Sequence, residues 1–157
     1  MSTKARNKGF TLVELMFVIL IFGLVMVASL PGFGRFLQTW KLHGEVDQLA
    51  SIMRTARSAA VMRNVDAIFQ FDVNRGTYFY YEDNDGDGQR DAGEYRSSIF
   101  TLPAGIRFES HTLSATTLTF EPRGNTNESG AIILENGRQK TRQISIFGGT
   151  GNIRVGT

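Results

Sequence analysis

Between Phe10 and Leu30 the chain runs for 21 residues with one charge, Glu14. An α-helix rises about 1.5 Å per residue, so this run reaches roughly 30 Å, the thickness of a bilayer's hydrocarbon core. Lys4, Arg6 and Lys8 precede it without an acid. That bias keeps the short N-terminus cytoplasmic and carries the rest of the chain across. A secretory signal also pairs a basic start with an apolar run, but its apolar region is usually about 7–15 residues. No small-residue cleavage site stands before Pro31. The fold must therefore hang from an N-terminal membrane helix.

Glu14 is the exception within that helix. A carboxylate in a membrane segment costs a few kcal/mol even on lenient scales, so by default it marks function. The plain alternative is a side chain near the helix end that snorkels to the interface. Cleavage between Gly9 and Phe10 sharpens the first reading. It creates an α-amino group on Phe10, four residues before Glu14, and residues at that spacing share a helix face. The first turn of a helix also favours a negative charge. Glu14 would then pair with its own amine or with that of a neighbouring helix.

Gly9-Phe10-Thr11-Leu12-Val13-Glu14 resembles the processing site and methylation motif of type IV pilins and type II secretion pseudopilins. The resemblance implies cleavage after Gly9 by a prepilin peptidase and N-methylation of Phe10. It also implies packing of apolar helices into a filament core with other pseudopilins or pilins. The chain would sit in the inner membrane as a single-pass protein with its globular part in the periplasm. Gly23 and Pro31 match places where helices of that family loosen or bend. The expected organisation is a leader over residues 1–9 that is removed, a transmembrane and assembly helix over 10–30, an amphipathic half over 31–63, and a β-rich globular part over 64–157.

There is no cysteine, so neither a disulfide framework nor thiol chemistry is available. Loss of Lys4, Arg6 and Lys8 with the leader turns the formal charge from +2 to a slight negative. The charge is uneven. Glu82 to Glu94 holds six acids and one Arg, whereas Asn136 to Thr157 holds Arg138, Lys140, Arg142 and Arg154 and no acid.

After Pro31-Gly32, apolar residues recur at spacings of three and four: Phe33, Phe36, Leu37, Trp40, Val46, Leu49, Ile52, Met53, Ala56 and Ala60. This is an amphipathic pattern, and it predicts one long helix from Phe10 to about Arg63, bent or loosened at Pro31. Beyond Asn64 the texture becomes short β-rich runs separated by Gly, Asn and Pro. The runs are Val65–Phe71, Thr77–Tyr81, Tyr95–Leu102, Ile106–Ser110, Thr117–Phe120, Ala131–Glu135, Gln143–Phe147 and Asn152–Val155. A long helix followed by about eight short strands reads as α+β, the helix laid on a small antiparallel β-sandwich, pilin-like in outline.

The β-rich half resembles the GspH/FimT minor pseudopilins. The resemblance rests on Ala56-Arg57-Ser58-Ala59-Ala60, on Phe120-Glu121-Pro122-Arg123-Gly124, and on Ile144-Ser145-Ile146 followed by a Gly turn and Ile153-Arg154-Val155. It implies a structural, non-enzymatic subunit of the type II secretion pseudopilus, which serves protein export across the outer membrane. A tip subunit of the K type would lack the acid at Glu14.

The stretch Asp83 to Glu94 fits the calcium-loop pattern D-x-D-x-D-G-x₅-E. Asp83, Asp85, Asp87 and Asp91 would offer side-chain oxygens, Gln89 its backbone carbonyl and Glu94 both carboxylate oxygens, with Gly88 at the sharp turn. Flanking strands, and Arg90 where an apolar residue usually stands, depart from the helix-loop-helix version. Without metal, the same residues make a solvated acidic hairpin turn. Enzymatic readings find no support: no nucleophile elbow, phosphate loop or zinc spacing occurs, and neither His43 nor His111 has a local partner that suggests a metal site or a triad. The alternative function is a FimT-like pilus subunit that binds DNA for uptake. Arg138, Lys140 and Arg142, alternating on a strand, would share one face for phosphate contacts, with Arg154 nearby.

Overall fold

A computed structural model describes residues 9–156, apart from the side chains of residues 30–33 and 35. The leader residues Lys4, Arg6 and Lys8 lie outside it, as do the side chains at the expected Pro31 bend. The first element, α1, spans Leu12–Arg63. It does not start at Phe10. Thr11 caps it, its hydroxyl accepting the Glu14 amide at 3.2 Å, so Thr11-Leu12-Val13-Glu14 has the threonine-to-glutamate spacing of a capping box. The described residues fall into two compact units that meet between Leu37 and Gln38.

In the first unit, Leu12–Ser29 has a mean hydropathy of 2.6 and none of it is buried, which makes it long and apolar enough to cross a membrane. In the second unit the helix buries Leu42, Val46, Leu49, Met53, Ala56 and Ala60. Their steps of four and three form one stripe, and the small alanines let the sheets approach closely. The stripe differs from the expected one at its start. Phe36 and Trp40 are 57% and 65% exposed, and Leu42 and Ala50 take core places instead.

Among the described residues eight strands follow: β1 Asp66–Asp72, β2 Thr77–Asp83, β3 Phe100–Thr101, β4 Ile106–His111, β5 Thr117–Phe120, β6 Gly130–Asn136, β7 Thr141–Phe147 and β8 Asn152–Gly156. They form two four-stranded sheets, ordered β3-β2-β1-β5 and β4-β6-β7-β8, with every paired neighbour antiparallel. The helix stripe, Ala67, Phe69, Phe71 and Tyr78 of the first sheet, and Ile132, Leu134, Ile144 and Ile146 of the second share one hydrophobic core. The Phe71 and Phe108 rings, 5.2 Å apart, join the two sheets. This is the expected α+β arrangement, a helix on a small antiparallel sandwich.

One strand expectation fails. Of Tyr95–Leu102 only Phe100–Thr101 forms a strand. Upstream, the Ser97 hydroxyl accepts the Tyr80 amide at 3.0 Å, taking a donor that a regular ladder would use. Only a single bridge, Tyr81 to Arg96, remains there.

Candidate functional site

Three regions carry the candidate sites that the sequence singles out, and a fourth is a meeting of distant segments that only the fold shows. At the N-terminus, Phe10 lies ahead of the helix and is 78% exposed. Because α1 begins at Leu12, Phe10 and Glu14 are not helical neighbours in the uncut chain. Glu14 sits in the first turn, exposed, on a helix whose large apolar residues from Leu12 to Val27 are exposed on every side. An apolar surface of that extent calls for lipid or other helices.

The acidic loop runs from the end of β2 back to the sheet edge. β2 alternates faces: Tyr78, Tyr80 and Glu82 point with Phe71, Phe69 and Ala67 toward the core, while Tyr81 and Asp83 point outward with Ile68 and Asp66. The loop folds over this outer face, and the buried Tyr81 donates its hydroxyl to the Gly88 carbonyl at 3.0 Å. Asp83 is itself buried and accepts the Gly86 and Gly88 amides at 2.8 and 2.9 Å. Gly86 and Gly88 have φ of 77° and 76°, which suits glycine and lets those amides turn inward.

One carboxylate oxygen each from Asp83, Asp85 and Asp87 lies within 4.8 Å of the others. Glu94 closes the loop rather than joining that group: its two oxygens accept the Asn84 and Asp91 amides at 2.7 and 2.9 Å. Asp91 is not part of the gathered set. The donors suit a hard cation such as calcium, since all are oxygens and each carboxylate oxygen keeps a second lone pair.

The crowding is visible in the protonation equilibria. The Asp87 amide lowers the Asp85 carboxyl's affinity for a proton, but desolvation, the Asp87 charge, the Asp83 carboxyl and Asp91 raise its pKa on balance. Asp66, opposite Asp83 in the ladder, is raised by burial and by the charges of Glu121 and Asp83. A carboxyl whose pKa is higher in the folded state weakens the fold once pH exceeds its unfolded value, and most fully above the folded value. Asp66→Asn should therefore raise the melting temperature in chelator at pH 7. That gain should shrink as pH falls through the raised pKa toward 4, and scanning calorimetry across pH reads it directly.

The basic end departs from expectation. β7 begins at Thr141, so Arg138 and Lys140 lie in the β6–β7 turn and do not share a strand face with Arg142. The turn closes by bonds from the Asn136 amide to the Lys140 carbonyl and from the Gln139 amide to the Asn136 carbonyl, both 2.9 Å, with Gln139 at φ 60°. That geometry ends the strand alternation. Arg142 donates to the Gly156 carbonyl at 3.2 Å and lies 3.1 Å from His43 Nδ1. Arg154 lies over the Phe147 ring at 5.4 Å. Arg138 and Lys140 remain exposed.

The fourth feature is a junction around Arg57. Its Nε donates to the Gly124 carbonyl at 2.7 Å and its terminal nitrogen to the Thr150 carbonyl at 2.9 Å. Arg54 donates to the Ile153 carbonyl at 3.1 Å. Gly151, at φ 59°, packs so tightly that a Cβ there would stand 2.0 Å from the Gly124 oxygen. The helix end, the turn after β5 and the turn between β7 and β8 thus meet at one guanidinium. Arg57→Ala strands two carbonyls, and about 2–3 kcal/mol of stability should be lost in a denaturant melt, against less than about 0.5 for Ser58→Ala on the exposed side.

The sequence profile of the family described as "Type II transport protein GspH" matches residues 45–150, and that of the "Prokaryotic N-terminal methylation motif" matches residues 4–30. The fold is similar to the minor pseudopilin EpsH of the Vibrio cholerae type 2 secretion system. That likeness has a TM-score of 0.61 at 13% identity, over 74% of this chain and 97% of that one. It is also similar to the type IV minor pilin FimU of Pseudomonas aeruginosa, with a TM-score of 0.62 at 16% identity over 78% of this chain and 92% of that one. A comparison with curated protein sequences finds no significant match.

Proposed function

Because the chain belongs to the GspH family of type II transport proteins, we propose that it is a minor pseudopilin, a structural and non-enzymatic subunit of the type II secretion pseudopilus. The observation that carries this reading is the joining of two features in one chain. A methylation-type N-terminus ending in a capped, exposed apolar helix leads into a pilin-like sandwich. Prepilin peptidase would cut after Gly9 and Phe10 would be methylated. The helix would anchor the chain in the inner membrane, with the sandwich in the periplasm, until assembly moves it into the filament beside other pseudopilins. Glu14 would select register by pairing with a neighbour's Phe10 amine. Calcium would serve as a structural staple in the Asp83–Glu94 loop, supported by the three converging aspartates.

Deletion and complementation test the assignment. Loss of exported proteins from the culture medium, with pili and DNA uptake intact, is expected. Intact export with lost DNA uptake would favour the second reading, a pilus subunit that binds DNA. That reading draws on the likeness to FimU's fold and on the exposed, acid-free pair Arg138 and Lys140. DNA binding of that kind would rest on phosphate contacts and would fall steeply with salt.

A further inference from the structure

Arg63 is the last residue of α1. The chain leaves the helix through Asn64 at φ 56°, and the Val65 amide reaches back to the Ala60 carbonyl at 3.3 Å. The Arg63 guanidinium then makes two contacts. Its Nη1 lies 2.7 Å from Glu82 Oε2, and its central carbon lies 5.2 Å from the centre of the Tyr95 ring. Glu82 and Tyr95 are the residues immediately outside Asp83 and Glu94, the two ends of the acidic loop. They are also joined to each other, since the Glu82 amide donates to the Tyr95 carbonyl at 3.0 Å. Tyr95 packs on Tyr80 with ring centres 6.0 Å apart.

The Glu82 carboxylate is 3% exposed, and among the described residues Arg63 is the cation paired with it. Its Oε1 is buried without a partner there. A buried carboxylate with one cation depends on that cation far more than a surface pair does.

We infer that Arg63 is a latch that ties the end of the helix to both stems of the acidic loop, so that the two segments order together. Whatever fixes the loop stiffens the last helical turn, and fraying of that turn loosens the loop, because coupling between two sites is reciprocal. The proposal rests on the calcium reading only in using calcium as one means of ordering the loop.

Hydrogen exchange read by mass spectrometry, on the full chain in detergent micelles, tests it with wild type, Arg63→Gln and Glu82→Gln. Without metal, Arg63→Gln should speed exchange about tenfold or more in both the 58–65 and the 82–97 segments, while β6 and β7 stay protected. Glu82→Gln, which leaves no unpaired buried charge, should speed the same two segments by less. Faster exchange in only one segment, or in neither, overturns the latch. Should Arg63→Gln loosen both sheets, the Glu82→Gln chain decides by the same criterion.

Added calcium should slow both segments in wild type and only the loop in the variants. Slowing of the loop alone in wild type also overturns the coupling. A calcium effect on neither segment counts against the calcium reading, and the metal-free comparisons still judge the latch.

Discussion

Replacing Glu14 with alanine is expected to leave the chain in the membrane while its incorporation into filaments falls by about tenfold or more. Glu14 is the sole charge between Phe10 and Leu30, and removing it lowers the cost of insertion by up to a few kcal/mol. Anchoring should therefore be equal or better. Assembly should suffer, because the carboxylate is the one charged group able to fix register along an otherwise apolar surface. A loss of 1.4 kcal/mol per contact is a factor of ten. The structure adds a control. The Thr11 hydroxyl, not the Glu14 side chain, holds the first-turn amide at 3.2 Å, so the helix start survives the substitution. Crosslinking to partner subunits, compared with membrane extraction, separates the two steps. Undiminished crosslinking would remove Glu14 from assembly.

Calcium is expected to raise the melting temperature of the full chain in micelles by roughly 10 °C at a hundredfold excess over Kd. Binding to the folded form alone adds about 2.7 kcal/mol under that condition. Unfolding entropy for a globular part of this size is near 0.25 kcal/mol per degree, which sets the shift. A divalent cation would also relieve the crowding of carboxylates that raises the Asp85 and Asp66 pKa. Magnesium should do less, since it demands tighter octahedral geometry than a flexible loop offers. Asp83→Ala combined with Glu94→Ala should abolish the shift. Equal melting in calcium and in chelator would leave the loop a charged hairpin.

Much of this was legible in the chain because its signals are local. The membrane span follows from run length, the amphipathic half of α1 from spacing, and most strands from alternation between turn residues. What escaped depends on tertiary context. Phe36 and Trp40 match the helical period, yet the core begins at Leu42, and a period cannot say where the partner sheet starts. Tyr95–Ile99 have strand composition, but Ser97 takes the Tyr80 amide with its side chain. Arg138, Lys140 and Arg142 alternate in sequence, but a turn with Gln139 in a left-handed conformation breaks the alternation. Arg57 and Gly124 stand in the sequence as parts of two separate stretches that carry the family resemblance, with no sign that they touch. The role of Arg57 appears only when Gly124 and Thr150, distant in sequence, bring their carbonyls to it. Gly124 and Gly151 were the available hint, since each holds a positive φ beside that guanidinium.

Whether this chain enters a filament through a processed N-terminus is read from the intact mass of the membrane-extracted protein. A mature chain that starts at Phe10 and carries one added methyl group, with the nine leader residues gone, is expected. A chain that retains Met1, or one that begins near Pro31, would contradict it.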